Sequence, residues 1–380
     1  MKIVFVLAVH KPTDDRVWNQ QASILRQVGH DVFIISARAE RTIFQNVYCF
    51  DNQKEMTSRK ETIAKFVEFL QQIKPDAIIC DNPVSIFAAN NYKKKSRDES
   101  VKLYYDITEF YPAKIHLYYN NFFKNLLKFC LLYCISIYAG FLVDHFIFGD
   151  YYKSKRYTRL FFWKRYVNVS YFADLLDIKV FPINKEIKKE CSLFYAGYLT
   201  ENAGFPAVFN VAEACAKRFS TTKFTLNIIS KTLKYEQIYS NMPNLVINYK
   251  NFTPYSEFCQ TVGSSDLFFD LRSIDMENTR CLPIKLFYYM ATARPVIYSN
   301  LKSIRKEIAE IDEFGFLVNP KDIDDIVEKI GYYINNQKFY EQHCKKAYEL
   351  AVAKYNWGKI WNSFVEFIEM NIKYSSFKMG

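Results

Sequence analysis

The chain is 380 residues long, half of them hydrophobic and 24% charged, which excludes a disordered tail, a collagen-like rod and a disulfide-stapled scaffold and allows two compact domains. Glycine is scarce, 10 residues against 34 Phe and 29 Tyr, and neither a Walker loop nor a dinucleotide fingerprint is present. The net charge of +11 is uneven: positions 113–170 hold Lys114, Lys124, Lys128, Lys153, Lys155, Arg156, Arg159, Lys164 and Arg165 against Asp144 and Asp150.

The apolar run at 2–9 is followed at once by His10, Lys11, Asp14, Asp15 and Arg16, which makes a poor signal peptide and a good buried first strand. Positions 16–28 carry Val17, Ala22, Ile24, Leu25 and Val28 at near-helical spacing, and Gly29 closes that helix. Runs at 31–36, 47–50, 77–80 and 103–105 read as strands, with helices at 61–73 and 84–92 between them. Near-continuous apolar strands alternating with helices predict a parallel sheet covered on both faces, whose ligands sit beyond the carboxyl ends of the strands. Positions 10–16, 81–83 and 106–109 therefore share one rim.

The uncharged run 129–143 is about 22 Å long as a helix, short of a hydrocarbon core of roughly 30 Å. Two readings stand open. It is a helix buried in the N-terminal domain, or, with the basic and aromatic stretch 151–166, a surface that rests on anionic lipid headgroups. No RRM, KH or zinc-finger signature accompanies the basic residues, so nucleic acid is not an expected partner.

A second alternating series follows. Strands are predicted at 193–197, 224–230, 244–249, 267–271, 296–298 and 315–318, and helices at 206–218, 255–262, 284–293, 304–309, 323–335, 340–354 and 357–374. The expected fold class is α/β, two doubly wound parallel-sheet domains, Rossmann-like and facing a cleft, over 1–168 and 169–356. Positions 357–380 form a C-terminal helix expected to pack back on the first domain.

Nine cysteines, an odd count with no CxxC pair, supply neither a zinc pattern nor a disulfide framework and point to a reducing compartment. The five histidines are scattered without an HExxH, so no metal is expected. Asp322, Asp324 and Asp325 follow Asn319-Pro320 and open an amphipathic helix, where acids favour the helix dipole. There is no GxSxG elbow.

Asp15-Arg16-Val17, Gly29-His30-Asp31-Val32 and the segment from Tyr105-Asp106 to Glu109-Phe110-Tyr111-Pro112 together resemble the N-terminal domain of GT-B glycosyltransferases, and more narrowly the retaining glycosyltransferase family four. Leu282-Pro283-Ile284-Lys285-Leu286-Phe287-Tyr288-Tyr289-Met290-Ala291, continuing to Pro295-Val296-Ile297, is similar to that family's donor-binding segment. The resemblance runs from the first strand to Tyr355-Asn356-Trp357. It implies transfer of a sugar from a nucleotide sugar, without another cofactor and without metal, with donor contacts from the C-terminal domain and acceptor contacts from the N-terminal one.

The sequence departs from the family at several charged positions. Tyr198 and Ala203 stand where an Arg and a Lys or Arg are usual, Arg280 and Tyr288 where a Glu pair is usual, and Thr108 where a His is usual. Ser230 and Ala293 mark places where the family uses Gly.

Candidate catalytic residues are accordingly Glu109 and Asp106; candidate donor-binding residues are Glu277, Asn278, Arg280, Lys285, Tyr288 and Gly197; His10, Asp15 and Arg16 lie on the acceptor or phosphate side. Lys285 and Arg280 suit a diphosphate, and Glu277 or Asn278 suit sugar or ribose hydroxyls. The expected function is a cytoplasmic glycosyltransferase, peripheral on the inner face of the cell membrane, that extends a glycan, in particular a lipid-linked one, in surface polysaccharide or capsule synthesis. The partners are a nucleotide sugar, that acceptor and an anionic membrane surface met through 113–170. A GT-B-shaped binding protein that has lost catalysis and a nucleotide-sugar epimerase are the rival readings.

Overall fold

The computed structural model describes residues 1–38, 44–51, 58–113, 116–183, 186–231 and 240–376, with side chains inside the last helix to 372; Lys114 lies outside the described residues. The chain forms two units, Met1–Ser170 with Ile360–Gly380, and Tyr171–Lys359.

The N-terminal unit is built on seven parallel strands, β1 (Lys2–Leu7), β2 (Asp31–Ser36), β3 (Val47–Cys49), β4 (Ala77–Cys80), β5 (Lys102–Ile107), β6 (His145–Phe148) and β7 (Tyr166–Asn168), in the order β3-β2-β1-β4-β5-β6-β7. Ile3, Val4, Phe5 and Val6 of β1 are all buried, so both faces of the strand are covered, which is why the sequence shows no polar alternation there. The predicted helix at 16–28 begins instead as a π-helical stretch, Arg16–Ala22, that runs into α1 (Ser23–Gln27). Then come α2 (Arg59–Ile73), α3 (Pro83–Ser96), α4 (Phe122–Leu142) and α5 (Tyr151–Leu160).

Local chemistry sets these boundaries. Ser58 and Glu61 form a reciprocal capping box at the start of α2, and Asn82 followed by Pro83 opens α3. α4 corrects the reading of 129–143 as a short buried helix: it spans 21 residues, and of these Leu132, Ser136, Ala139 and Gly140 are the buried ones. By length and composition it could cross a membrane.

The C-terminal unit holds six parallel strands, β8 (Glu190–Ala196), β9 (Lys223–Ser230), β10 (Leu245–Asn251), β11 (Leu267–Asp270), β12 (Val296–Ser299) and β13 (Gly315–Val318), ordered β10-β9-β8-β11-β12-β13. Its helices are α6 (Phe205–Arg218), α7 (Tyr255–Thr261), α8 (Ile284–Ala291), α9 (Lys302–Glu307), α10 (Ile323–Asn335) and α11 (Gln337–Ala353). The last helix, α12 (Trp361–Ser376), belongs to the N-terminal unit. Tyr104 donates its hydroxyl to the Ile368 carbonyl at 3.2 Å, and His30 meets Glu369 at 3.1 Å.

Both sheets reverse strand order once, between β1 and β4 in the first and between β8 and β11 in the second. Such a switch point opens a crevice beyond the carboxyl ends of the two strands, and that is where ligands of doubly wound sheets bind.

Candidate functional site

The crevice of the N-terminal unit lies at Ala8–His10, after β1, and Asp81, after β4. Asp81 is almost wholly buried, and its carboxylate accepts the backbone N–H groups of Ala8 at 3.0 Å, Val9 at 3.1 Å and His10 at 3.4 Å, with the Ser85 hydroxyl at 3.1 Å. Burial pushes the Asp81 carboxyl up, against the pull of His10 and of the Ala8 and Val9 amides. The His10 ring touches Asp14 through Nδ1 at 3.3 Å and the Thr108 hydroxyl through Nε2 at 3.2 Å. Burial opposes its charge, but the Asp14 hydrogen bond and the charges of Asp81, Asp14 and Glu109 outweigh it and raise its pKa to about 9. His10 is therefore an imidazolium at neutral pH. Glu109 is exposed beside it.

Asp106 and Arg16 are not part of this solvent-facing set. Arg16 Nε and Nη2 grip the two Asp106 oxygens at 3.0 and 2.7 Å, Gln21 donates to Asp106 at 2.8 Å, and Arg16 Nη1 donates to the Val169 carbonyl at 2.6 Å. The two ionised side chains are only 6% and 4% exposed. Asp106, expected to be catalytic, and Arg16, expected to meet acceptor or phosphate, are thus paired with each other, and the pair ties the start of the first helix to β5 and to the chain after β7. Asp15 is exposed and makes no capping hydrogen bond, and Asp14 accepts from Val17 N at 3.4 Å instead.

In the C-terminal unit the crevice lies between Gly197 after β8 and Asp270 at the end of β11. A Cβ on Gly197 would stand 2.7 Å from the Tyr195 hydroxyl, which donates to the carbonyls of Tyr198 and Ala203 and so holds the following loop. Gly204, at φ +81°, closes that loop; a Cβ there would lie 2.0 Å from the Leu271 carbonyl, so only glycine lets the loop pack against the chain after β11.

That chain carries a charge cluster. Arg272 Nε donates to Asp270 at 2.7 Å and Nη2 closes a second contact on the same carboxylate. Lys285, in the first turn of α8, makes no hydrogen bond or ion pair among the described residues. Burial lowers its pKa, Asp270 holds it up, and Arg272 and Lys231 repel it. Below the cluster the Tyr289 and Tyr298 hydroxyls are buried without a hydrogen-bond partner among the described residues. No side chain caps the N-terminus of α8. Cations, uncapped helix N–H groups and a switch point together suit an anion such as a diphosphate.

The other predicted donor residues divide. Asn278 spends its amide N–H groups on Asn202, Ser273 and Asp275, holding the 273–278 loop. Tyr288 is 7% exposed and packs edge-on against Tyr255 and Phe258 in the core of the unit. Glu277 is half-buried before the Asn278–Arg280 turn, and Arg280 is exposed. Asp270 and Arg272 were not singled out from the sequence, and Asp14 and Asp81 were placed on the rim without a role. Asp270 closes a central strand and Asp81 directly follows one, and acids at those positions were the available signal. Among the described residues no group of His, Cys, Asp and Glu could hold a metal ion.

No family model matches the sequence. An uncharacterized glycosyltransferase of Haemophilus influenzae is 26% identical over 168 residues, 44% of this chain and 46% of that one, so the match spans just under half of either protein. Nearly all of the chain superimposes on solved structures: Anabaena HepE in complex with UDP-glucose (TM-score 0.71, 14% identity, 97% of this chain and 100% of that one) and WaaG, a glycosyltransferase involved in lipopolysaccharide biosynthesis (0.69, 12%, 96% and 99%). Sucrose-phosphate synthase from Thermosynechococcus elongatus aligns equally well (0.69, 11%, 97% and 98%). The chain has the GT-B fold.

Proposed function

We propose that the protein is a glycosyltransferase that moves a sugar from a nucleotide sugar to a glycan acceptor. The observation that carries the reading is Lys285, beside Arg272 and Lys231, at the β8/β11 switch point of a GT-B fold. In the reaction the bond from the anomeric carbon to the diphosphate oxygen breaks and the nucleoside diphosphate leaves with the electron pair. The acceptor hydroxyl oxygen bonds to that carbon and gives up its proton to the departing diphosphate. Lys285 and Arg272 stabilise the departing charge more as it grows, which is what lowers the barrier. In the N-terminal unit Glu109 and the His10–Asp14 pair are placed to hydrogen-bond acceptor hydroxyls. The finer reading is retention at the anomeric carbon, no metal, and a lipid-linked acceptor of surface polysaccharide synthesis met on the inner face of the cell membrane. The presence of a lipopolysaccharide enzyme among the structural neighbours supports the surface-polysaccharide part of this reading.

The test is calorimetric titration with a panel of nucleotide sugars, followed by transfer of radiolabelled sugar to a lipid-pyrophosphate acceptor extract. Lys285→Ala is expected to weaken donor binding by about tenfold or more with little change in melting temperature. Unchanged affinity in that variant removes Lys285 from the site. A second reading, a GT-B binding protein without activity, is favoured by the burial of Tyr288 and Asp106 in structural roles. Absence of any nucleotide-sugar binding by the wild type would establish it.

A further inference from the structure

A crossover helix of a doubly wound domain normally turns its apolar stripe to the sheet and its polar face to water. α4 presents apolar side chains outward: Phe123 is 76% exposed, Leu127 73%, Leu131 58%, Tyr138 55% and Phe141 56%. With exposed Cys134 these positions recur at three or four residues, so they form one stripe along about 27 Å of helix. The stripe continues off the helix end, where the Trp163 ring lies 6.3 Å from that of Phe141 and Phe162 is 82% exposed.

The end of the helix is closed in a way that suits a non-aqueous surface. The last carbonyls of a helix have no partner within it and need water or another donor. Lys164 Nζ donates to the Gly140 carbonyl at 2.8 Å and the Phe141 carbonyl at 2.9 Å, and also reaches Val143. Three carbonyls at the apolar end are thereby satisfied without water.

Although α4 is long enough to cross a bilayer, its place in the fold fixes it otherwise. It joins β5 to β6, neighbours in one sheet, with Val143 and Asp144 between its end and β6. Leu132 and Ala139 on its inner face are buried, and the Ser136 and Tyr157 hydroxyls are hydrogen-bonded beneath it. Spanning would tear all of this away.

Charge identifies the surface that covers the stripe. From 110 to 143 there is no Asp or Glu, while Lys124 and Lys128 flank the stripe at its N-terminal end. A second copy seated there would meet the same basic, acid-free segment. An anionic bilayer supplies both the apolar layer and the countercharge.

We propose that α4 lies flat in the headgroup layer of an anionic membrane, with its outward stripe and Trp163 inserted and Lys124 and Lys128 at the phosphates. This rests on the peripheral-membrane reading above and names the element and the lipid class that serve it. The full chain is mixed with phosphatidylcholine vesicles with or without phosphatidylglycerol at low salt and sedimented, and Trp emission is followed with brominated lipid. Binding is expected with phosphatidylglycerol, with quenching that Trp163→Phe removes, and the exposed double variant Leu127→Glu/Leu131→Glu is expected to bind about tenfold or more weakly while keeping its melting temperature. No binding to the anionic vesicles, equal binding by the double variant, or a dimer that the double variant dissolves would overturn the proposal. Donor binding is measured in the same preparation without vesicles. Lost vesicle binding with donor binding intact sinks the docking alone, and the converse sinks the glycosyltransfer reading alone.

Discussion

Replacing Asp106 by Asn tests whether the acid at the end of β5 is structural. In the native chain Asp106 neutralises Arg16, and both are sealed from water, 4% and 6% exposed. The substitution leaves the guanidinium buried with no countercharge at this position, facing an amide oxygen and the neutral Val169 carbonyl. Stranding one member of a buried ion pair costs about 3 to 5 kcal/mol, because the surviving charge keeps its desolvation penalty and loses its compensation. For a unit of this size each kcal/mol moves the melting temperature by about 2 to 4 °C, so Asp106→Asn is expected to lower the midpoint of the N-terminal unit by roughly 6 to 20 °C.

The assay is thermal unfolding followed by circular dichroism, with nucleotide-sugar binding by the C-terminal unit measured at a temperature where both variants are folded. The double variant Arg16→Met/Asp106→Leu removes both charges and is expected to recover most of the lost stability. An Asp106→Asn protein that melts within about 1 °C of wild type but no longer transfers sugar would refute the argument and return Asp106 to the catalytic set.

Two further effects follow from the backbone and from buried imidazoles. Ala293 is held at φ 59°, a left-handed conformation that costs an L-residue roughly 1 kcal/mol, so Ala293→Gly is expected to raise stability by up to about that amount, read as a shift in urea midpoint at constant slope. His343 is buried against the Tyr333 hydroxyl, and burial lowers its pKa to about 4. The folded state then binds fewer protons than the unfolded one below pH 6.5, so stability falls as pH drops from 6.5 towards 4, by a ceiling on the order of 3 kcal/mol. His10 has the opposite sign: its pKa is raised to about 9, so its contribution is complete below 6.5 and is lost as pH rises through 9. His343→Gln should flatten the acid limb of the urea-midpoint profile, and His10→Gln the alkaline limb.

The architecture was legible because parallel strands buried on both faces announce themselves as short apolar runs; Ile3 to Val6 and Phe268 to Phe269 are cases. β6, α5 and β7 were missed. α5 places Lys153, Lys155, Arg156 and Arg159 within ten residues, and its inner face is made by Ser154, Tyr157 and the stem of Lys153, whose ammonium pairs with Asp150 at 2.8 Å. Hydrophobic periodicity cannot register such a helix. α4 was misjudged for a related reason: a count of uncharged residues stops at Lys128, whereas the helix continues to Phe122 because the lysines lie beside the apolar stripe. At the site, motif position located Lys285 and Gly197 but could not separate a solvent-facing Glu109 from a buried Asp106 three residues away. That difference depends on which residue the first helix brings against β5. Sequence spacing holds no information about Arg16 reaching Asp106 across 90 positions.

The two switch points have the same topology and opposite electrostatics. At β8/β11 the acid is consumed: Asp270 is occupied by Arg272, and Lys285 is left with no ion-pair partner among the described residues. At β1/β4 the N–H donors are consumed, because Asp81 takes the amides of Ala8, Val9 and His10 that would otherwise face an incoming anion. Asp81 thus occupies the three N–H groups that a phosphate would use at this turn, and the acceptor proposed above, a polyhydroxyl group, is one that Asp14, Glu109 and His10 can hydrogen-bond. Asp81→Ala tests this directly. Removing that carboxylate frees three N–H groups beside an imidazolium and makes a phosphate site where none existed. The variant is expected to be less stable than wild type in phosphate-free buffer and to regain melting temperature as inorganic phosphate is added, following the logarithm of phosphate concentration above its dissociation constant. The control is the same titration on Asp81→Ala/Lys285→Ala, which deletes the C-terminal cation. If that double variant no longer responds, the phosphate was binding beside Lys285 all along, and the assignment of opposite signs to the two crevices is wrong.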